Sequence, residues 1–164
     1  MIKCTIAIPV YNRENLIRRA IDSALAQDVS DLEILVVDNC STDNTWDVLQ
    51  TYRDSRLHLV RNKYNVGLFG NFNCCLSLAQ GKYLRFLCSD DKLIHGCLGR
   101  EIEIMNAYPN VVLLSTRGRR IDEAGRFLGM QGDHFQSGIY FGHQAIHAVL
   151  WFQAHYAYNP LNYP

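Results

Sequence analysis

Apolar and polar positions alternate in blocks along most of the chain. Short runs rich in β-branched residues are each followed by a polar turn, which is typical of strands buried on both faces of a parallel sheet. The predicted strands cover residues 4–10, 32–38, 57–61, 82–88 and 111–116. Between them, apolar residues recur at spacings of three and four, which predicts amphipathic helices. The predicted helices cover residues 14–27, a segment capped by Ser41 or Thr42, and residues 65–81, 94–108 and 139–152.

This order of elements predicts an α/β fold. Strands that alternate with helices form right-handed crossover units, and such units build a mostly parallel sheet with helices on both faces. Residues 117–129 differ, because a polar turn between two short segments there predicts a hairpin. Gly81 stands where a C-terminal cap would follow the third helix.

The composition is that of an ordinary folded domain. The chain has 164 residues, 48% of them hydrophobic, and its 16 basic and 16 acidic side chains give no net charge. This length predicts about one domain, and the composition excludes a disordered chain. Nucleic acid is not an expected partner, because its binding draws on a clustered excess of Lys and Arg.

The last part of the chain has a different composition. After Asp133 no Lys, Arg, Asp or Glu occurs, yet this segment holds four of the six histidines and 8 of the 18 aromatic residues. We therefore predict a core over residues 1–133 and an aromatic-rich tail over residues 134–164. An uncharged aromatic surface often marks an interface, so a homodimer formed through the tail is one prediction.

The cysteines and the N-terminus favour a reducing, cytoplasmic location. Six cysteines occur without a C-x-x-C pair, and the N-terminus lacks the basic and apolar regions of a signal peptide. The sequence also lacks the run of about 20 apolar residues that crosses a bilayer. Any membrane contact is therefore expected to be peripheral, at the inner face.

Polar residues follow the predicted strands at the edge where open α/β sheets bind ligands, outside the carboxyl ends of the strands. Asp90 and Asp91 are the strongest of these features, because adjacent carboxylates repel each other unless a cation, a proton or solvent offsets their charge. Hard oxygen ligands suit Mg²⁺ or Mn²⁺, which one or two carboxylates hold together with substrate phosphates. The alternative is that one aspartate only caps the following helix.

Two other strand ends and one helix start carry groups that suit a nucleotide. Asp38 ends an apolar strand, where its carboxylate could accept hydrogen bonds from a base or ribose, or form an Asx turn. Tyr11 offers either a flat ring for a base or a core side chain. The backbone N–H groups of Asn65, Val66 and Gly67 stand at a helix start, where they could face a phosphate.

Four segments, in this order, resemble the nucleotide-sugar half of family 2 glycosyltransferases, which have the GT-A fold. They are IPVYNRENLIRRAIDSALAQ, ILVVDNCSTDNT, NKYNVGLFGNFN and AQGKYLRFLCSDD, within residues 3–120. The resemblance implies a three-layer, Rossmann-like fold, a nucleoside-diphosphate-sugar donor, a Mg²⁺ or Mn²⁺ ion, and transfer to an acceptor hydroxyl with inversion. It also implies a glycan, lipid-linked or protein acceptor, in cell-wall or polysaccharide biosynthesis.

The resemblance implies roles for single residues as well. Pro9, Tyr11 and Asp38 match the positions that hold the base and ribose, and the Asp90–Asp91 pair matches the acidic motif that binds ribose and metal. With the other polar residues at the strand ends, the candidate nucleotide-sugar-binding residues are Pro9, Tyr11, Asn12, Asp38, Ser41, Asn65, Gly67, Ser89 and Asp90. The candidate metal ligands are Asp90 and Asp91, and the motif leaves open which of them binds the ion.

The sequence departs from the family pattern in three places. Cys88 stands where many members open the acidic motif with a carboxylate, and Phe72 stands where many have arginine. In this family an acidic base deprotonates the acceptor and normally lies in the second half of the domain, yet no carboxylate follows Asp133. We therefore expect a C-terminally truncated chain that keeps the donor-binding half, with transferase activity impaired or absent.

Three other classes of protein share parts of this pattern. A receiver-like signalling domain also uses paired aspartates, a strand-end Asp and a Lys, but its acidic pair should follow the first strand. A nucleotidyltransferase usually has a glycine-rich, basic loop after the first strand, unlike residues 9–13. The third is a non-catalytic fragment that binds a nucleotide or associates with itself through the tail.

Overall fold

The fold is a parallel sheet with helices on both faces, as a computed structural model shows for residues 2–122, 124–131, 137–142 and 144. The elements are β1 (Cys4–Val10), α1 (Ile17–Leu25), β2 (Leu32–Asp38), α2 (Thr45–Leu49), β3 (Leu57–Arg61), α3 (Gly67–Leu78), β4 (Tyr83–Phe86), α4 (Cys97–Ala107), β5 (Gly118–Ile121) and β6 (Phe127–Gln131). Strands β1 to β4 form a four-stranded sheet in the order β3-β2-β1-β4, in which each strand is parallel to its neighbour. The predicted class is therefore confirmed.

The two central strands are apolar almost throughout, and every residue of β1 and β2 is buried. Successive side chains of a strand point to opposite faces of the sheet, so these apolar runs need cover on both faces. One face packs against α1, α2 and α4 through side chains such as Ile21, Leu49 and Leu98. The other face packs against α3, where Cys75 is buried. The result is three layers, with the sheet in the middle.

Helix α1 illustrates how the sequence pattern builds these layers. Its buried residues are Ile17, Ala20, Ile21 and Ala24, whose spacing of three and four places them in one stripe that faces the sheet. Burial of a single isoleucine side chain contributes about 1.5–3 kcal/mol. The alanines let the helix approach the strands closely.

A second compact unit begins at Asn110, after a first unit of residues 1–109. It contains the antiparallel pair of β5 and β6, which confirms the hairpin predicted over residues 117–129. The predicted boundary between residues 1–133 and 134–164 stays a prediction.

The strand predicted over residues 111–116 is wrong, because these residues are not in a strand. The exposed fractions of Val112 and Leu113 are 95% and 79%, so the apolar run does not enter a core. A run of this kind becomes a strand only where a neighbouring strand takes up its backbone hydrogen bonds. In the described part of the chain no strand pairs with it.

The C-terminal end of helix α3 and the start of helix α4 differ from their predictions. Helix α3 ends at Leu78, and Ala79 is already extended with φ −61° and ψ 134°, so Gly81 is not its cap. Gly81 instead passes close to β1, where a Cβ atom would lie 2.5 Å from the Thr5 backbone nitrogen. Helix α4 begins at Cys97, after Gly96 with a left-handed φ of 76°.

The last predicted helix, over residues 139–152, lies largely outside the described residues, which include only 139–142 and 144 of it. Among the described residues, none of the helices has both the length and the apolar character that crossing a membrane requires.

Candidate functional site

The loops after β1 and β2 are joined by hydrogen bonds between Asn12, Ser41 and Thr42. The Asn12 backbone N–H donates to Ser41 Oγ at 2.9 Å, and the Thr42 backbone N–H donates to Asn12 Oδ1 at 2.9 Å. Asn12 and Cys40 both adopt left-handed backbone angles, with φ of 52° and 60°. Such conformations persist where the surrounding contacts hold them. Two predicted site residues, Asn12 and Ser41, therefore lie in direct contact.

Asp38, at the end of β2, is fully buried. Its carboxylate accepts hydrogen bonds from the Ser41 backbone N–H at 3.2 Å and from the Ser41 hydroxyl. Arg61 pairs with it from β3, at 3.1 Å between Nε and Oδ2, and also donates from Nη2 to the Ser41 carbonyl at 2.9 Å. Because the exposed fraction of Asp38 is 0%, a ligand can reach its carboxylate only if residues that cover it move.

Helix α2 begins differently from its prediction. It starts at Thr45, and Asp43 Oδ1 accepts the Thr45 backbone N–H at 2.9 Å, so Ser41 and Thr42 are not its caps. Asp43 Oδ2 also accepts the Glu14 backbone N–H at 3.2 Å. Burial raises the pKa of Asp43, but the hydrogen bonds from Thr45 and Glu14 together lower it by more than burial raises it. The net shift of the pKa is therefore downward. Ser41 is thereby left to hold Asp38 and Asn12.

Four asparagines form a hydrogen-bond network beneath these loops: Asn39, Asn62, Asn65 and Asn71. Asn39 is 3% exposed, and its Nδ2 donates to Asn65 Oδ1 at 2.8 Å. Its Oδ1 accepts from Asn62 Nδ2 at 3.0 Å. Asn62 Nδ2 also donates to Asn71 Oδ1 at 3.0 Å, and Asn71 Nδ2 donates to the Val37 carbonyl at 3.0 Å. The network ties the loops after β2 and β3 to helix α3.

The backbone N–H groups expected to be free at the start of α3 are partly used by this network. The Val66 N–H donates to Asn39 Oδ1 at 3.0 Å, and the Gly67 N–H donates to Asn65 Oδ1 at 2.8 Å. Asparagine side chains therefore satisfy these two groups in this structure, and a contact of this helix start with a phosphate stays a prediction. The left-handed φ of 79° explains the glycine at position 67.

Ser89, Asp90 and Asp91 follow β4, and β4 pairs with β1 in parallel. Because the carboxyl ends of parallel strands meet at one edge, these residues lie at the same edge of the sheet as Tyr11. Ser89 is buried, whereas both aspartates are exposed. A carboxylate oxygen from each aspartate and Cys88 Sγ lie within 4.8 Å of one another. One cation could contact this group of atoms.

The two carboxylates fit Mg²⁺ or Mn²⁺, whereas the thiol does not. Although Asp91 is exposed overall, partial desolvation of its carboxyl group, followed by the charge of Asp90, raises its pKa, and the positive charges of Arg19 and Arg85 oppose this rise. A bound cation would relieve the repulsion between the carboxylates. Burial and the two aspartates raise the pKa of Cys88, so its thiol stays protonated at neutral pH, and the thiol is a poor metal ligand.

Pro9 and Tyr11 differ in exposure. Pro9 lies within β1, opposite Val37 of β2, and is buried. The exposed fraction of Tyr11 is 40%, so its ring is available to a ligand. Arg61 is a polar residue at a predicted strand end that was not among the candidate site residues, because its pairing with Asp38 depends on the register between β2 and β3.

Comparisons with known proteins identify the family of the chain. The model of the glycosyl transferase family 2 matches residues 5–155. UDP-Glc:alpha-D-GlcNAc-diphosphoundecaprenol beta-1,3-glucosyltransferase WfaP of Escherichia coli is 38% identical over 101 residues, which cover 62% of this chain and 40% of WfaP. The chain therefore spans about two fifths of the length of this relative.

Two solved structures are similar to the chain. The crystal structure of S. aureus TarS 1-349 in complex with UDP-GlcNAc has a TM-score of 0.61 and 29% identity, over 65% of this chain and 32% of TarS 1-349. The mannosyltransferase PcManGT from Pyrobaculum calidifontis, in complex with GDP-Man and Mn²⁺, has a TM-score of 0.51 and 30% identity, over 55% of this chain and 28% of PcManGT. Because the family model spans most of the chain and the parallel sheet matches that of TarS, this protein belongs to glycosyl transferase family 2 and has the GT-A fold.

Proposed function

We propose that this chain binds a nucleoside-diphosphate sugar at the carboxyl edge of its sheet, for transfer of the sugar to an acceptor hydroxyl with inversion. The observation that carries the proposal is the convergence of the Asp90 and Asp91 carboxylates at this edge. Mg²⁺ or Mn²⁺, when bound there, neutralises the charge that develops on the departing diphosphate. The complexes of TarS with UDP-GlcNAc and of PcManGT with GDP-Man and Mn²⁺ support a donor of this class.

The candidate residues divide into two groups by exposure. Tyr11, Asn65, Gly67, Asp90 and Asp91 are exposed, so they can contact the donor directly. We assign the base to the ring of Tyr11, and the ribose and the metal to the aspartates. Asn12 is partly buried and stands between the two groups.

The other candidates act through the shape of the loops. Pro9, Asp38, Ser41 and Ser89 are buried. Asp38 and Arg61 together hold the Ser41 loop, and the Ser41 hydroxyl holds Asp38 while its Oγ accepts the Asn12 backbone N–H. A preorganised loop lowers the entropy cost of binding a ligand, which is the contribution we assign to these residues.

We propose a lipid-linked glycan as the acceptor, by analogy with WfaP, whose name gives a diphosphoundecaprenol-linked substrate. Such an acceptor places the reaction in polysaccharide biosynthesis at the cytoplasmic face of a membrane, with peripheral attachment. Glycan and protein acceptors are the other two classes that the resemblance allows.

A second candidate function is nucleotide binding without transfer. It is favoured because every candidate residue of the site is assigned to the nucleotide sugar or the metal, and none is assigned to the acceptor. Membership of the family excludes the receiver-like and nucleotidyltransferase alternatives. The homodimer through residues 134–164 stays a prediction, and light scattering across a range of concentrations tests it: a monomer throughout would contradict it.

Thermal denaturation with a panel of nucleoside diphosphates and their sugar conjugates, with Mn²⁺ or with EDTA, tests the proposed function. We expect one nucleotide to raise the melting temperature in the presence of Mn²⁺. This shift should vanish in the double variant Asp90→Asn, Asp91→Asn and persist in Asp47→Asn, an exposed aspartate on α2. No stabilisation by any nucleotide would contradict the proposal. Release of free sugar or its transfer to an added acceptor then separates the two candidate functions.

A further inference from the structure

Helix α1 and the turn after it carry three polar side chains at a spacing of four: Arg19, Ser23 and Gln27. This spacing places them along one side of the helix, beside the stripe that packs on the sheet. From the sequence they resemble an ordinary solvated face. In the structure they face the connection between β4 and α4, residues 87–96, which we call the acidic loop.

Each of the three side chains contacts a different point of the acidic loop, in chain order. Arg19 Nη2 donates a hydrogen bond to the Asp90 carbonyl. Ser23 Oγ accepts the Leu93 backbone N–H at 3.0 Å. Gln27 Nε2 donates to the Ile94 carbonyl at 3.1 Å.

Gln27 also joins the acidic loop to the helix that follows it. Its Oε1 accepts the Leu98 backbone N–H at 3.2 Å, in the first turn of α4. Gln27 is 3% exposed, so these hydrogen bonds are shielded from water. Its Nε2 donates to the Ser23 carbonyl at 3.1 Å as well, which fixes the amide on the helix.

The acidic loop depends on these contacts because it has little regular structure of its own. Residues 91–94 belong to neither a helix nor a strand. The internal backbone hydrogen bonds of the loop are short-range turns, from Asp91 to the Cys88 carbonyl at 3.0 Å and from Cys97 to the Ile94 carbonyl at 3.1 Å. The Asp91 N–H end of the peptide between the two aspartates is held by the first of these turns, whereas its Asp90 carbonyl end takes its partner from Arg19, outside the loop.

We infer that Arg19 is a positioning residue for metal-dependent donor binding, and that it orients Asp90 and Asp91 through the peptide between them. The inference rests on the proposed function. The Asp90 carbonyl belongs to the peptide unit that links the two aspartates, so its hydrogen bond to Arg19, together with that of the Asp91 N–H to the Cys88 carbonyl, orients this unit and the side chains on either side of it. Positioning partners of this kind typically change metal affinity by about 10–100-fold.

The test compares Arg19→Ala with Arg18→Ala, its neighbour on the same helix. Arg18 is exposed and points elsewhere: its Nη1 donates to Thr51 Oγ1 at 3.3 Å, and its guanidinium lies 5.9 Å from the centre of the Tyr52 ring. Titration calorimetry measures the affinity of each variant for the nucleotide that stabilises the wild type, with Mn²⁺ and with EDTA. We expect Arg19→Ala to reduce the gain from Mn²⁺ by about tenfold or more, with less than about a twofold change in EDTA.

The results separate the positioning role of Arg19 from a general structural defect and from a failure of the proposed function. Arg18→Ala should keep the full gain from Mn²⁺, and Arg19→Lys, which keeps a donor and the charge, should recover at least half of it on a logarithmic scale. An equal loss with Mn²⁺ and with EDTA in Arg19→Ala would overturn the inference, because it would show a general structural defect. An unchanged gain would overturn it as well. Absence of any Mn²⁺ gain in the wild type would instead contradict the proposed function.

Discussion

Replacement of Asn39 by alanine should destabilise the fold strongly, although the residue is small and polar. Asn39 makes four hydrogen bonds: Nδ2 donates to Asn65 Oδ1 at 2.8 Å and to the Gly67 carbonyl at 3.2 Å, and Oδ1 accepts from Asn62 Nδ2 at 3.0 Å and from the Val66 N–H at 3.0 Å. The side chain is buried, so water does not replace these bonds directly in the native protein.

The expected loss in the free energy of unfolding depends on which hydrogen-bond partners of Asn39 keep another partner in the variant. A net hydrogen bond contributes about 0.5–1.5 kcal/mol, and a buried group left unpaired costs about 1–3 kcal/mol. Asn62 Nδ2 keeps its bond to Asn71, and Asn65 Oδ1 keeps the Gly67 N–H, so these two lose little. The Val66 N–H and the Gly67 carbonyl lose the Asn39 contact. We therefore expect Asn39→Ala to lower the free energy of unfolding by about 2–4 kcal/mol, a large share of a typical 5–15 kcal/mol.

Urea denaturation followed by circular dichroism measures this change. Asn73→Ala is the matched control, because Asn73 is exposed on the same helix α3, and its replacement should change the free energy by less than about 0.5 kcal/mol. A loss of less than about 1 kcal/mol in Asn39→Ala would refute the reasoning. It would mean that the asparagine network contributes no more than an exposed amide does.

Three further predictions concern the rest of the fold. Gly81→Ala should lower the free energy of unfolding in urea denaturation by about 1–3 kcal/mol, because the added Cβ would lie 2.5 Å from the Thr5 nitrogen. Gly99→Ala is the control and should not cause this loss, because Gly99 has open space around it; equal losses in the two variants would contradict the prediction. Cys4 and Cys75 are buried, and burial raises the pKa of each thiol to about 12. Iodoacetamide at pH 8 should therefore label these two cysteines only after unfolding, which peptide mass spectrometry measures; rapid labelling of the native protein would contradict this prediction. Hydrogen bonds from Arg56 lower the pKa of Asp54 below its usual 3.8, so this carboxylate stabilises the fold above that pH and ceases to as the pH falls through its lowered value. Melting temperatures of the wild type and Asp54→Asn should therefore differ at pH 7 and converge in acid, and a gap that persists in acid would contradict the assignment.

The strands were the most predictable part of the fold. The predicted boundaries of β1, β2 and β3 coincide with the structure. For β1 and β2 the reason is that a strand buried on both faces is apolar almost throughout, whereas β3 is a partly buried strand at the edge of the sheet. The run over 111–116 is also apolar and rich in β-branched residues, and yet it is not a strand. An apolar pattern reports what a segment would bury, but not whether a partner strand stands beside it.

The candidate site was predictable in part. The acidic pair stood out because adjacent carboxylates are costly without a cation. The asparagine network and the Arg19 contact were not predictable, because both depend on how loops fold back on one another. Gly81 shows the same limit, since its position suggested a helix cap, whereas the structure requires a glycine there for close approach to β1.

A crystal structure of the chain with UDP and Mn²⁺, with data collected at the manganese absorption edge, tests the central claim most directly. The account predicts an anomalous peak within coordination distance of a carboxylate oxygen of Asp90 or Asp91, with the diphosphate on the same ion and the base beside Tyr11. A nucleotide or manganese ion bound away from the carboxyl edge of the sheet would contradict it.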